Sequence, residues 1–160
     1  MLEPGDAGTL NPMLRNLGAV FVGCLFAGMI IMIVEMIGHA IFPPPQEIRE
    51  ALQSEDTTIR EEAIRNYIPN AQVGALLFVP LAWAMGTMIG GWVAARLAHP
   101  GAEDVAYGVG ALMLLVGLLM LVSIPHPLWM MAGVVAFPTG AWLGSRLGRR
   151  PRETSVNSSY

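Results

Sequence analysis

Four long apolar runs, residues 17–42, 73–97, 105–124 and 128–147, constrain this chain more than any other feature. Each reaches or exceeds the roughly 20 residues that cross a hydrocarbon core, and charge is almost absent from them. Lipid offers a backbone no hydrogen-bond partners, so only α-helices and closed β-barrels span it. Barrel strands would read as segments of about 10 residues with alternating hydrophobicity, a pattern this chain lacks. The expected fold is all-α, an antiparallel bundle of four transmembrane helices. Only 13% of the 160 residues are charged, against about 25% in a soluble domain, and the shortage fits the same reading.

The polar segments set the layout. Residues 1–14 form a polar leader, 43–70 the one sizeable loop, and 149–160 a basic, then Ser/Asn-rich tail around a membrane domain of residues 15–148. The first run is too long for the core of a cleaved signal peptide and is preceded by polar residues, so it is expected to stay as a span. Arg15, Arg96, Arg146, Arg149, Arg150 and Arg152 fall on one side. Arg49, Arg60 and Arg65 fall on the other, among six acids. The positive-inside rule then makes both termini cytoplasmic and the loop external, as in a multi-pass protein of a bacterial inner membrane. The loop reads as two short helices, one opening at Pro45 and one at a capping box of Thr58 and Glu61. They would lie on the membrane surface or fold over the mouth of the bundle.

Small residues indicate how the spans pack. Ala82, Gly86, Gly90 and Ala94 recur at every fourth position of the second span, and Gly140, Gly144 and Gly148 repeat the device in the fourth. Helices in lipid associate through close backbone approach, so such stripes mark contact faces, either within the chain or at a homo-oligomer seam. Pro80 and Pro138 lie inside spans, where kinks are tolerated. Trp92 and Trp129 read as interfacial anchors. Cys24, the only cysteine, lies in the first span and has no intrachain disulfide partner.

The chemistry is concentrated in VEMIGHAIFPPP, residues 34–45. On a helical wheel Ile30, Ile33, Val34, Ile37 and Ile41 gather on one arc, a natural lipid face. Met29, Met32, Glu35, Met36 and His39 gather opposite and are expected to point inward, where intramembrane ionisable groups usually face. His126, in the turn IPHPLW, emerges on the same side of the membrane as His39. Glu35, His39 and His126 are therefore expected to converge. Those groups would fasten the bundle, relay protons or line a transport path, or bind copper or zinc together with Met32 or Met36.

Enzyme motifs are missing: there is no H-E-x-x-H, no G-x-S-x-G, no second intramembrane acid and no lysine. Neither an enzyme nor a cofactor is expected, and a net charge of −3 gives no support to nucleic-acid binding. The expected partners are the lipid bilayer and a second copy or another membrane subunit. The segments VEMIGHAIFPPP, GALLFVPLAWAMGTMIGGWVAARLA and IPHPLWM resemble those of small bacterial four-span inner-membrane proteins of this length and layout. Those proteins have no assigned activity, so the resemblance implies topology alone. The leading expectation is a non-enzymatic membrane protein acting through homo-oligomerisation or as an accessory subunit. The alternative is a small transporter or channel, or a metal- or proton-handling protein, using Glu35, His39 and His126.

Overall fold

A computed structural model describes residues 11–124 and 126–149 of the chain. In order it contains α1 (Pro12–Ile41), α2 (Gln46–Leu52), α3 (Thr57–Tyr67), a 3₁₀ turn (Ile68–Asn70), α4 (Val73–Leu97), α5 (Val105–Ser123), a 3₁₀ segment (Leu128–Val135) and α6 (Ala136–Gly148). The described residues contain no strand. Four stretches, Pro12–Ile41, Val73–Leu97, Val105–Ser123 and Leu128–Gly148, are long and apolar enough to cross a membrane. The chain is an all-helical multi-pass membrane protein. Most of the expected leader, Pro125, and the tail from residue 150 onward, with Arg150 and Arg152, lie outside the described residues.

α1 begins five residues before the apolar run because the sequence supplies a cap there. Asn11 accepts a hydrogen bond from the Met13 amide at 3.0 Å, and Pro12 occupies the first helical turn, where a missing N–H costs nothing. α3 is also capped, but not by the expected Thr58–Glu61 box. Asp56 takes the cap position, and its carboxylate accepts from both the Thr58 amide, at 2.8 Å, and the Thr58 hydroxyl. Aspartate ranks above threonine as a cap acceptor, and here the two lie close enough for Asp56 to recruit Thr58.

α4 is the central helix. It packs against α1, α5 and α6, and α5 bridges the outer pair, while α1 and α6 do not meet. The four spans thus form a rhombus with α4 and α5 on its short diagonal. Two small-residue faces of α4 explain the arrangement. Ala82, Gly86, Gly90 and Ala94 are all buried, and this face receives α1. A methyl group at Gly86 would sit 2.5 Å from the Ile31 side chain and 2.8 Å from the Ala27 carbonyl oxygen. The other face receives α6. A methyl at Gly140 would meet the Ala84 carbonyl at 2.7 Å, and one at Gly144 the Met88 carbonyl at 2.6 Å. The stripes read from sequence are intrachain contacts, and their glycines set the interhelix distance.

The contact face of α1 differs from the expected one. Its buried positions are Ala19, Gly23, Ala27, Val34 and Gly38, a line of mostly small residues laid against α4. Met29, Met32 and Met36 face away from the bundle, Met32 and Met36 being 62% and 66% exposed. Val34, assigned to the lipid face, is buried instead. Close approach in lipid selects for small size, and a methionine side chain holds helices apart.

The fourth span is also not one α-helix. Its first eight residues are 3₁₀, and α6 starts at Ala136, which puts Pro138 in the first α-helical turn. A proline there removes no internal hydrogen bond, so the chain restarts a helix where a kink was expected. Gly133 in the 3₁₀ segment faces Pro80 of α4, a methyl there approaching the proline ring to 3.1 Å. Below it, Trp83 stacks on Phe137 at 4.9 Å between centroids.

One end of the bundle is tied by side-chain-to-carbonyl bonds. Arg15 donates to the Leu97 carbonyl at 3.0 Å, the His99 amide donates to Asn16 at 2.9 Å, and Arg96 donates to the Leu147 carbonyl at 3.5 Å. Two arginines thereby complete unsatisfied carbonyls at helix C-termini, where positive charge is favoured. Guanidinium groups also cover Trp92 (Arg96) and Trp142 (Arg146). This end, where α1 begins and α6 finishes, is the terminal face. The opposite end, carrying α2 and α3, is the loop face.

Candidate functional site

The site is a cleft at the loop face between the last turns of α1 and the first turns of α4. Both helices carry the pattern Gly-x-x-x-Phe here, Gly38 to Phe42 in α1 and Gly74 to Phe78 in α4. Because the helices are antiparallel, the two patterns interlock. The Phe78 ring seats on Gly38, where a methyl would lie 2.8 Å from Cγ, and the Phe42 ring seats on Gly74, where a methyl would lie 2.6 Å from Cζ. The rings meet edge to face, with centroids 6.1 Å apart and planes at 62°. Any side chain at either glycine would displace a ring, so this corner is set by shape on both sides.

Beside the rings is a cavity of about 150 Å³, lined by Glu35, His39, Phe42, Tyr67, Phe78 and several smaller apolar residues. Tyr67 and Ile68 come from the end of α3 and the turn after it, so the close of the loop completes the cleft. Glu35 lies about 10 Å along the α1 axis from Phe42, at 1.5 Å per residue, and is partly buried. His39, one turn further on, directs Nδ1–H to the backbone carbonyl of Glu35 at 2.8 Å. That bond fixes the imidazole along its own helix and leaves it no Nδ1 proton for the carboxylate. Among the described residues the Glu35 carboxylate has no hydrogen bond or ion pair, and Glu35 lines the cleft.

Glu35 and His39 line the cleft together, and His126 is not among its lining residues. His126 is held in the turn before α6 by its own bond from Nδ1–H to the Ile124 carbonyl, at 2.6 Å. It lies three residues beyond the end of α5. His126 thus takes no part in lining the cleft that holds Glu35 and His39. Met32 and Met36 point away from the bundle, so the expected thioether ligands are absent from the cleft too. Among the described residues no three His, Cys, Asp or Glu side chains are placed to share a metal ion.

A second, more polar cleft of about 300 Å³ lies where Glu61, Ile64 and Arg65 of α3 face Ser123 and Ile124 at the end of α5. Among the described residues the buried polar side chains are Thr87 and Ser145, which donate to carbonyls of their own helices at 2.6 and 2.9 Å. The cleft at Glu35 holds one carboxylate, with His39 beside it, in largely apolar and aromatic surroundings. Comparison with protein-family models, with curated proteins and with solved structures gives no match.

Proposed function

We propose that the chain is a non-enzymatic protein of a bacterial inner membrane, both termini cytoplasmic, that acts by assembling through α1 with a second copy or another membrane subunit. One observation carries this reading. Of the glycines in the spans, Gly18 and Gly28 alone have nothing within 4 Å of where a methyl would stand. They belong to one outward line, Leu14, Gly18, Phe21, Leu25, Gly28 and Met32, whose spacing alternates four and three residues. That spacing is the seam of a left-handed helix pair, and Phe21, Leu25 and Met32 on it are each about 60% exposed. Glycine is a poor helix former away from a contact, so its use at both positions is accounted for by a partner helix. The arginines of the terminal face and the resemblance to small four-span inner-membrane proteins support the orientation and the membrane.

Disulfide crosslinking in native membranes tests the reading. With Cys24→Ser as background, Leu25→Cys is expected to give a covalent adduct, and Gly28→Leu is expected to abolish it while leaving the monomer folded. A chain that stays monomeric and unpartnered refutes the proposal. A second reading, handling of a small cation or proton at the loop face, is favoured by the open Glu35 carboxylate.

A further inference from the structure

The cleft at the loop face has the parts of a selective site, and its contents narrow the ligand class within the second reading above, on which this inference rests. Its volume of about 150 Å³ matches a cavity that takes a benzene-sized group. Its one acid, Glu35, makes no hydrogen bond or ion pair among the described residues and has the His39 imidazole one turn away; no arginine lines the cleft, so a cation is favoured over an anion. An inorganic divalent ion needs six or more oxygen ligands, or several nitrogen and sulfur donors. A primary ammonium brings three N–H donors that must each be met. The cleft offers the side chains of Glu35, Tyr67 and His39, the last with Nδ1 already committed to the Glu35 carbonyl, and most of its wall is hydrocarbon and aromatic ring.

A quaternary ammonium group has no N–H to satisfy. Such cations are held by aromatic rings, whose faces carry negative charge density. Phe42 and Phe78 are set in place by Gly74 and Gly38 before any ligand arrives, so no side-chain ordering is required on binding. We propose that this cleft binds a quaternary organic monocation, its charge beside Glu35 and its apolar body against Phe42 and Phe78. A soluble amine and a choline headgroup share that chemistry.

The test is a titration of the full chain in maltoside micelles with benzyltrimethylammonium, followed by the ring resonances of Phe42, Phe78 and Tyr67. Saturable shifts are expected, weakened at least tenfold in Glu35→Gln and at least threefold in Phe78→Leu. Neopentylbenzene, which has the same shape without the charge, is expected to bind at least tenfold more weakly to the unmodified protein, a comparison that requires no variant to fold. Equal affinity in Glu35→Gln, or equal binding of the neutral isostere, overturns the proposal. Competition by added short-chain phosphatidylcholine assigns the site to a lipid headgroup, and its absence to a soluble amine. A response that depends on Glu35 and appears with potassium or protons alone overturns the ligand class and leaves the second reading standing. No such response to any cation overturns both.

Discussion

Gly144 gives the sharpest test of how the bundle is held together. Replacing it with alanine adds one methyl, which would stand 2.6 Å from the Met88 carbonyl oxygen, 2.8 Å from the Trp92 nitrogen and 3.1 Å from the Gly91 carbonyl carbon. All three are backbone atoms of α4, so no side chain can rotate away. Ordinary contact starts at 3.4 Å, so α6 must withdraw from α4 by about 0.8 Å. The withdrawal also loosens Gly140 against Ala84 and Thr87, and Gly148 against Ala95. Overpacking of this kind costs about 1–3 kcal/mol, a change of about 5- to 150-fold in the folding equilibrium. Gly28→Ala is the control, since its methyl meets nothing within 4 Å. Alanine is the better helix former by about 1 kcal/mol, so Gly28→Ala in monomeric micelles is expected to be neutral or stabilising. Unfolding with increasing SDS in mixed micelles, read by the fluorescence of Trp83 on Phe137, measures both. Equal stability of Gly144→Ala and the unmodified chain would refute backbone contact between α4 and α6.

Other consequences follow from single groups. Gly38→Ala forces the Phe78 ring off its seat, where Cβ to Cγ would be 2.8 Å, and is expected to destabilise by about 1–3 kcal/mol and to broaden the Phe42 and Phe78 ring signals. Arg15→Gln removes the bond to the Leu97 carbonyl and is expected to cost about 0.5–1.5 kcal/mol, seen as faster amide exchange at Leu97 and Ala98. Thr87→Val keeps the buried shape and removes a hydroxyl bonded only within its own helix. It is expected to change stability by less than about 1.5 kcal/mol, and a larger loss in SDS unfolding would show that the hydroxyl serves a neighbouring helix. The hydroxyl and amide of Thr58 hold the Asp56 carboxyl below its ordinary range. The cap's contribution is therefore complete above the unfolded value of about 3.9 and is lost as pH falls through the lower folded value. Amide exchange of the first turn of α3 is expected to quicken over that acidic window, and Asp56→Asn to remove the dependence.

The spans and the α4 stripe were legible because lipid imposes two simple demands, unbroken apolarity and small residues where helices touch. The face of α1 was not legible by the same route. Every side of a membrane helix is apolar, so the contrast of isoleucine with Met, Glu and His carried no burial information, whereas Ala19, Gly23 and Ala27 carried it by size. The interlocking Gly38–Phe42 and Gly74–Phe78 pairs were visible as two Gly-x-x-x-Phe strings. Their meaning depends on the antiparallel register of α1 and α4, which packing decides. Pro138 likewise read as a kink until the helix start at Ala136 placed it in a first turn.

The central claim is that α4 contacts α1 and α6 through glycine while Gly18 and Gly28 are left for a partner. A nuclear Overhauser spectrum of the monomer, protonated at glycine and alanine alone in a deuterated background, tests it most directly. The account predicts cross-peaks from Gly90 to Gly23 and Ala27, from Gly86 to Ala27 and from Gly144 to Gly91, with none from Gly18 or Gly28 to any other helix. Missing Gly90–Gly23 contacts, or cross-peaks from Gly28 to α4 or α5, would contradict it.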